Sequence, residues 1–165
     1  MTTTHQLHSK LTAEGRASLY FEQVELPELG ADQVLIQVEA APINPSDLAL
    51  LTAPMDLSSL STEGSGFDTL VSASAKPGAV EFFKSRLGLS LPTGNEGAGT
   101  VIATGSSDAA QALLNKKVSA FGGAMYAQHR VANVMECLPL PDGCDAADGA
   151  SSFVNPMTAL GMTET

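Results

Sequence analysis

The stretch that most constrains this chain is Gly94-Asn95-Glu96-Gly97-Ala98-Gly99-Thr100-Val101. Its glycines run directly into an apolar, β-type segment over residues 100–103. Glycine is used where the backbone takes positive φ or where another group approaches it closely. The pattern predicts a glycine-rich turn feeding a strand over 100–104, with an amide and a carboxylate held inside the turn. It is not a phosphate loop, because neither G-x-x-x-x-G-K-[ST] nor G-x-G-x-x-G is present. A second stretch accompanies it, Ala41-Pro42-Ile43-Asn44-Pro45-Ser46-Asp47-Leu48. There Pro45 biases Asn44 away from helical backbone. Ser46 or Asp47 is then placed to cap a short helix through Leu51.

The remaining elements follow from periodicity and punctuation. Residues 5–11 and 17–26 read as strands, and 27–32 as a turn cluster. Residues 34–40 place Val34, Ile36, Val38 and Ala40 on alternate positions, the mark of a half-buried strand. Residues 53–78 are rich in serine, glycine and proline and read as a long, partly ordered loop. Residues 80–87 have helical spacing closed by Gly88, and suit either a lid or simple packing. Ser107 and Asp108 predict a capped helix over 109–114. Residues 117–121 and 124–131 predict a hairpin about Gly122-Gly123. Helices are expected over 145–152 and 155–163, with Pro156 early in the second.

Composition excludes several classes of function. The chain has 165 residues, 44% hydrophobic content and a net charge of −10. That length is one domain's worth. The acidity removes any electrostatic case for nucleic acid or an anionic membrane. No apolar run approaches the ~20 residues a membrane helix needs. The N-terminus has neither a basic nor an apolar leader segment, so a cytoplasmic location is expected. Cys137 and Cys144 are too few and too far apart for a zinc lobe and read as free thiols. His5 and His8 lie three apart in an expected strand and so face opposite ways.

In order, these blocks resemble the N-terminal, GroES-like substrate domain of the medium-chain dehydrogenase/reductase superfamily. Residues 34–41 are similar to its strand leading into the site. Residues 117–122 are similar to its G-D-x-V strand, with Asn115-Lys116-Lys117 where Gly-Asp is usual. Residues 124–130 are similar to the G-x-Y-A-E-Y strand, and 138–143 to the x-x-x-P-x-P segment. Asn155-Pro156-Met157-Thr158 is similar to the helix leading into the nucleotide domain. The resemblance implies a mainly β fold, a partly open antiparallel β-barrel with short helices. It implies a domain over 1–154 with an insertion at 53–92, and the start of a linker helix over 155–165. The family's Rossmann domain, with its dinucleotide fingerprint, is absent from these residues.

Zinc-using relatives carry Cys, His and a third ligand where Asn44, Asn95 and the neighbourhood of Asn155 stand here. Neutral amides are poor zinc ligands, so no metal is expected. The resemblance therefore points to the zinc-free branch of quinone oxidoreductases and enoyl thioester reductases. It implies NADPH as the hydride source in the full-length enzyme, a quinone or enone-type substrate and a possible homodimer. By the same resemblance Asn44, Ser46 and Asp47 are the catalytic candidates. Asn155 and Thr158 would contact the nicotinamide or its ribose, and Asn95 and Glu96 would lie behind the site. On residue chemistry alone, Asp47 also suits a helix cap. Glu96 also suits a buried structural carboxylate, and Thr158 a capping hydroxyl. The loop at 53–78 lacks the tyrosine that often lines the family's substrate pocket. A non-catalytic binding or assembly module that keeps the barrel is the alternative reading.

Overall fold

The computed structural model describes residues 3–164. The chain starts as an antiparallel pair, β1 (Thr3–Leu11) and β2 (Arg16–Glu25), closed by a turn in which Gly15 takes φ +78°. β3 (Gln33–Ala40) buries Val34 and Ile36 completely, as its alternation predicts. Burying side chains of that size is worth about 1.5–3 kcal/mol each. Helix α1 (Pro45–Thr52) follows. Its N-cap is Asn44, not Ser46 or Asp47, because Pro45 fits the first helical position, where no N–H partner is needed. Asp47 then sits at the third helical position and accepts the Asn44 N–H at 2.9 Å.

The serine-rich segment is more ordered than its composition suggests. It folds as a hairpin of β4 (Ser61–Glu63) and β5 (Leu70–Ser74). β5 pairs with the open edge of β2 from Arg16↔Ser74 to Tyr20↔Leu70. A free sheet edge recruits a strand through backbone groups, whatever the side chains. Ser72 and Ala73 are buried there, and Ser72 accepts a hydrogen bond from Arg16 at 2.9 Å. The helix expected over 80–87 shortens to one turn, α2 (Ala79–Phe82), continued by a 3-10 turn at Lys84–Arg86.

β6 (Leu91–Pro92) leads into β7 (Glu96–Thr104). Here the glycine-rich stretch departs from the expected turn: Gly97 and Gly99 lie inside the strand. A Cβ on Gly97 would come within 2.9 Å of the Ala40 carbonyl oxygen, and one on Gly99 would overlap that of Gln37. Both glycines serve close backbone approach to β3. Only Gly94 takes positive φ, +89°. After α3 (Asp108–Gln111), capped by Ser107, come β8 (Lys117–Phe121), β9 (His129–Asn133) and β10 (Cys137–Pro139).

The hairpin expected between 117–121 and 124–131 does not form. β8 already has β7 on one side and β10 on the other, so β9 crosses to pair with β3. Gly122 and Gly123 instead send both backbone N–H groups to the Asn95 carbonyl, each at 3.2 Å. Short helices α4 (Ala146–Gly149) and α5 (Val154–Thr163) end the described chain.

The sheets run β4-β5-β2-β1-β6 and β10-β8-β7-β3-β9. They join where Leu7 donates to Tyr126 at 2.8 Å and Gln128 to His5 at 3.0 Å. The result is a curled antiparallel half-barrel, mostly strand with short helices. Its main core gathers Val34, Ile36, Val101, Val118, Met125 and Ala132. Every ladder between these strands is antiparallel, and residues 3–164 contain no Rossmann βαβ unit.

Candidate functional site

The two stretches singled out by the sequence meet at one end of the half-barrel. Asn44, Asp47 and Glu96 are 2%, 1% and 0% exposed. Three buried polar side chains at one point demand mutual satisfaction, since an unmet buried donor or acceptor costs about 1–3 kcal/mol. They find it. The Asp47 carboxylate accepts from the Asn44 N–H at 2.9 Å and from the Asn95 N–H at 3.0 Å. It thereby ties the start of α1 to the residue just before β7. Glu96 accepts from Asn44 Nδ2 at 3.0 Å through one oxygen. Its other oxygen accepts from the Phe153 and Val154 N–H groups at 2.7 and 3.0 Å. Those N–H groups belong to the start of α5, where no helical partner exists for them and a carboxylate is favoured.

Asn155 completes the knot by donating Nδ2 to Asn44 Oδ1 at 3.1 Å. Above it lie more accessible groups. Ser46 is exposed, and its Oγ accepts from Asn95 Nδ2 at 3.0 Å, leaving the hydroxyl proton free to point outward. Thr158 stands apart from this network. It is exposed and its hydroxyl donates to the Val154 carbonyl of its own helix at 2.7 Å.

Tyr126 belongs to this site and was not singled out from the sequence. Its hydroxyl donates to the Pro42 carbonyl at 2.8 Å. Burial, then the neighbouring Asp47 carboxylate, pushes its phenol well above the ordinary range. The signal that would have found it is Gly94. A Cβ there would come within 2.6 Å of the Tyr126 nitrogen and 2.8 Å of its ring, so the glycine makes room for the tyrosine.

The residues at the positions of the zinc ligands bond within the chain. The Asn44 amide faces a carboxylate and another amide. Among the described residues no group of three or more His, Cys, Asp or Glu side chains converges. His5 stacks on Phe67 at 4.0 Å, while His8 turns to Ser90 at 2.7 Å, so the two rings diverge. Cys137 and Cys144 are both free, and burial pushes the Cys137 thiol up to about 11. Among the described residues no helix is long and apolar enough to cross a membrane.

No family model and no curated protein sequence matches this chain. Solved structures do. One is assigned as an NADPH:quinone reductase from Mesorhizobium loti, with 27% identity over 99% of this chain and a TM-score of 0.64. The quinone oxidoreductase from Coxiella burnetii aligns over 99% of this chain with 20% identity and a TM-score of 0.63. A complex of Etr1p with NADP and crotonyl-CoA aligns over 98% with 20% identity and a TM-score of 0.63. The likeness to these last two is one of fold. The fold is that of the GroES-like domain of the medium-chain dehydrogenase/reductase superfamily, with quinone oxidoreductases and enoyl reductases as its structural neighbours. The chain spans less than half of each neighbour's length: 45%, 46% and 43%.

Proposed function

We propose that this chain is the substrate-side domain of a zinc-independent, NADPH-dependent oxidoreductase of the quinone reductase type. The observation that carries the reading is the Ser46–Asn95 pair, seated on a fully bonded knot where α5 begins. A preorganised donor held by satisfied neighbours suits a carbonyl oxygen that gains charge as hydride arrives. In this reading the Ser46 hydroxyl and the Asn95 amide face the substrate. Asn44, Asp47 and Glu96 position them. Asn155 and Thr158, on the exposed start of α5, meet the nicotinamide end.

The described residues fit only that end of a dinucleotide, because no βαβ unit is present to take a pyrophosphate. In such an enzyme bound NADPH supplies the hydride, and this chain supplies orientation and polar donors. A non-catalytic assembly module is the second reading. It is favoured by Asn44, whose buried amide is accounted for by internal bonds alone.

The test is a titration of the 165-residue chain with NADPH by fluorescence and with duroquinone by amide NMR. Duroquinone has no free ring position for the thiols to attack. Local shifts at Ser46, Asn95 and Tyr126 with duroquinone, and no NADPH binding up to millimolar, are expected. Saturable micromolar NADPH binding would overturn dependence on a separate nucleotide domain. No response to duroquinone would leave the assembly module standing.

A further inference from the structure

Between the end of β2 and the strand β9 lies a cleft of about 520 Å³, open to solvent. That volume falls in the range of small-molecule sites. Val24, Leu26 and Val131 give it apolar walls, and Arg130 lines it beside Gly122. Arg130 is 7% exposed, the one buried Lys or Arg among the described residues. Its Nη2 meets Glu136 at 3.0 Å. Its Nη1 is buried and has no hydrogen-bond partner among the described residues. Ser119 Oγ is the other such side-chain atom, and Ser119 does not line the cleft. A Cβ on Gly122 would come within 2.9 Å of Arg130 Nη2 and 3.1 Å of Glu136 Oε1, so the glycine leaves room for this pair.

A buried guanidinium nitrogen without an acceptor is costly, and an oxygen brought to it by an occupant removes that cost. The occupant need not be an anion. Glu136 already balances the Arg130 charge, Glu25 adds a carboxylate to the lining, and the whole chain carries −10. What is open is a donor, with acceptors close by on the same lining: the Glu25 carboxylate and the Gln6 amide oxygen. β9 also ends the order of its sheet, and an edge strand keeps backbone N–H and C=O groups without a strand partner. We infer that this cleft binds a compact neutral carboxamide. Its carbonyl oxygen accepts from Arg130, its N–H donates to the acceptors of the lining, and its apolar body lies on Val24, Leu26 and Val131. The inference stands apart from the proposed oxidoreductase role, because none of these side chains belongs to the Asn44 knot.

The probe is cyclohexanecarboxamide, with methyl cyclohexanecarboxylate and sodium cyclohexanecarboxylate as comparators, titrated into the 165-residue chain and followed by amide NMR. Saturable shifts are expected at Leu26, Gly122 and Val131. The ester keeps the carbonyl and lacks the N–H, and should bind roughly fivefold more weakly, the worth of one hydrogen bond. The carboxylate should bind more weakly than the ester. R130K keeps the charge but removes the second terminal nitrogen, and should weaken the carboxamide and the ester alike. E25Q changes an exposed side chain and decides the matter if R130K does not fold. It should narrow the preference for carboxamide over carboxylate. The proposal fails if the carboxamide gives no saturable shift up to its solubility limit, or if the carboxylate binds as tightly. It also fails if E25Q leaves the preference unchanged, or if the shifts fall at Asn44 and Asn95 instead, which would place the probe in the other site.

Discussion

The two sides of the site are built on opposite principles. On the barrel side, Asn44, Asp47 and Glu96 are almost fully buried and nearly every polar atom is matched. On the helix side, α5 contains no buried residue and leaves Met157 64% and Leu160 52% exposed. The helix is held at its first turn by Glu96 and by Asn155. At the start of α5 the Glu96 carboxylate bonds the Phe153 and Val154 N–H groups, beside the contact of the Phe153 ring with Phe121. Residues on the barrel side should therefore be costly to change, and those along α5 cheap.

The comparison can be broken most severely at Gly99. Gly99→Ala puts a methyl into the Gln37 carbonyl and should part β7 from β3. The expected loss exceeds about 4 kcal/mol, the range of exceptional single substitutions, and urea denaturation would read it. Next comes Glu96→Gln, which turns an acceptor for three donors into a group that must itself donate. A loss of about 3 kcal/mol is expected, since hydrogen bonds to charged groups are worth about 1.5–3 kcal/mol each. Hydrogen exchange should show the Phe153 and Val154 amides losing protection first. Protection that survives in Glu96→Gln would mean α5 is held by something other than this carboxylate.

Tyr126→Phe sharpens the comparison by pH. The folded-state phenol is raised above its ordinary value, so the unfolded chain releases that proton first as pH climbs. Its contribution is fully present below pH ~10, the ordinary tyrosine value, and is lost as pH rises beyond it. Tyr126→Phe should cost about 1 kcal/mol at neutral pH through the lost bond to Pro42. It should also flatten the alkaline decline in stability. The smallest effects belong to α5. Met157→Ser and Leu160→Ser should each stay within about 0.5 kcal/mol, as exposed substitutions do. A larger loss in either would show that this face is covered in the isolated chain.

Much of the architecture was legible because it rests on local chemistry. Alternation over 34–40 located β3 and its buried face. Asn44-Pro45 marked a helix start, since proline at the first helical position needs no donor, although the cap is Asn44, two residues before Ser46 and three before Asp47. The candidate residues were read from two polar stretches and the segment at Asn155, and the structure brings Asn44, Asp47, Asn95, Glu96 and Asn155 together while leaving Thr158 on the surface.

Other features were decided only in three dimensions. The glycines at 97 and 99 look the same in sequence whether they serve a turn or close strand approach; the partner carbonyls of Ala40 and Gln37 settle it. The serines of 61–74 have no strand pattern of their own, and the open edge of β2 supplies the partner. Gly122-Gly123 has hairpin chemistry, but β10 takes the edge the hairpin would need. The role of Glu96 depends on donors 57 and 58 residues away. Residue order thus determined which segments extend, which turn and where helices start, because those follow from neighbouring backbone sterics. Tertiary structure decided which strands pair and which carboxylate anchors α5, because those depend on edges and donors supplied by distant parts of the chain.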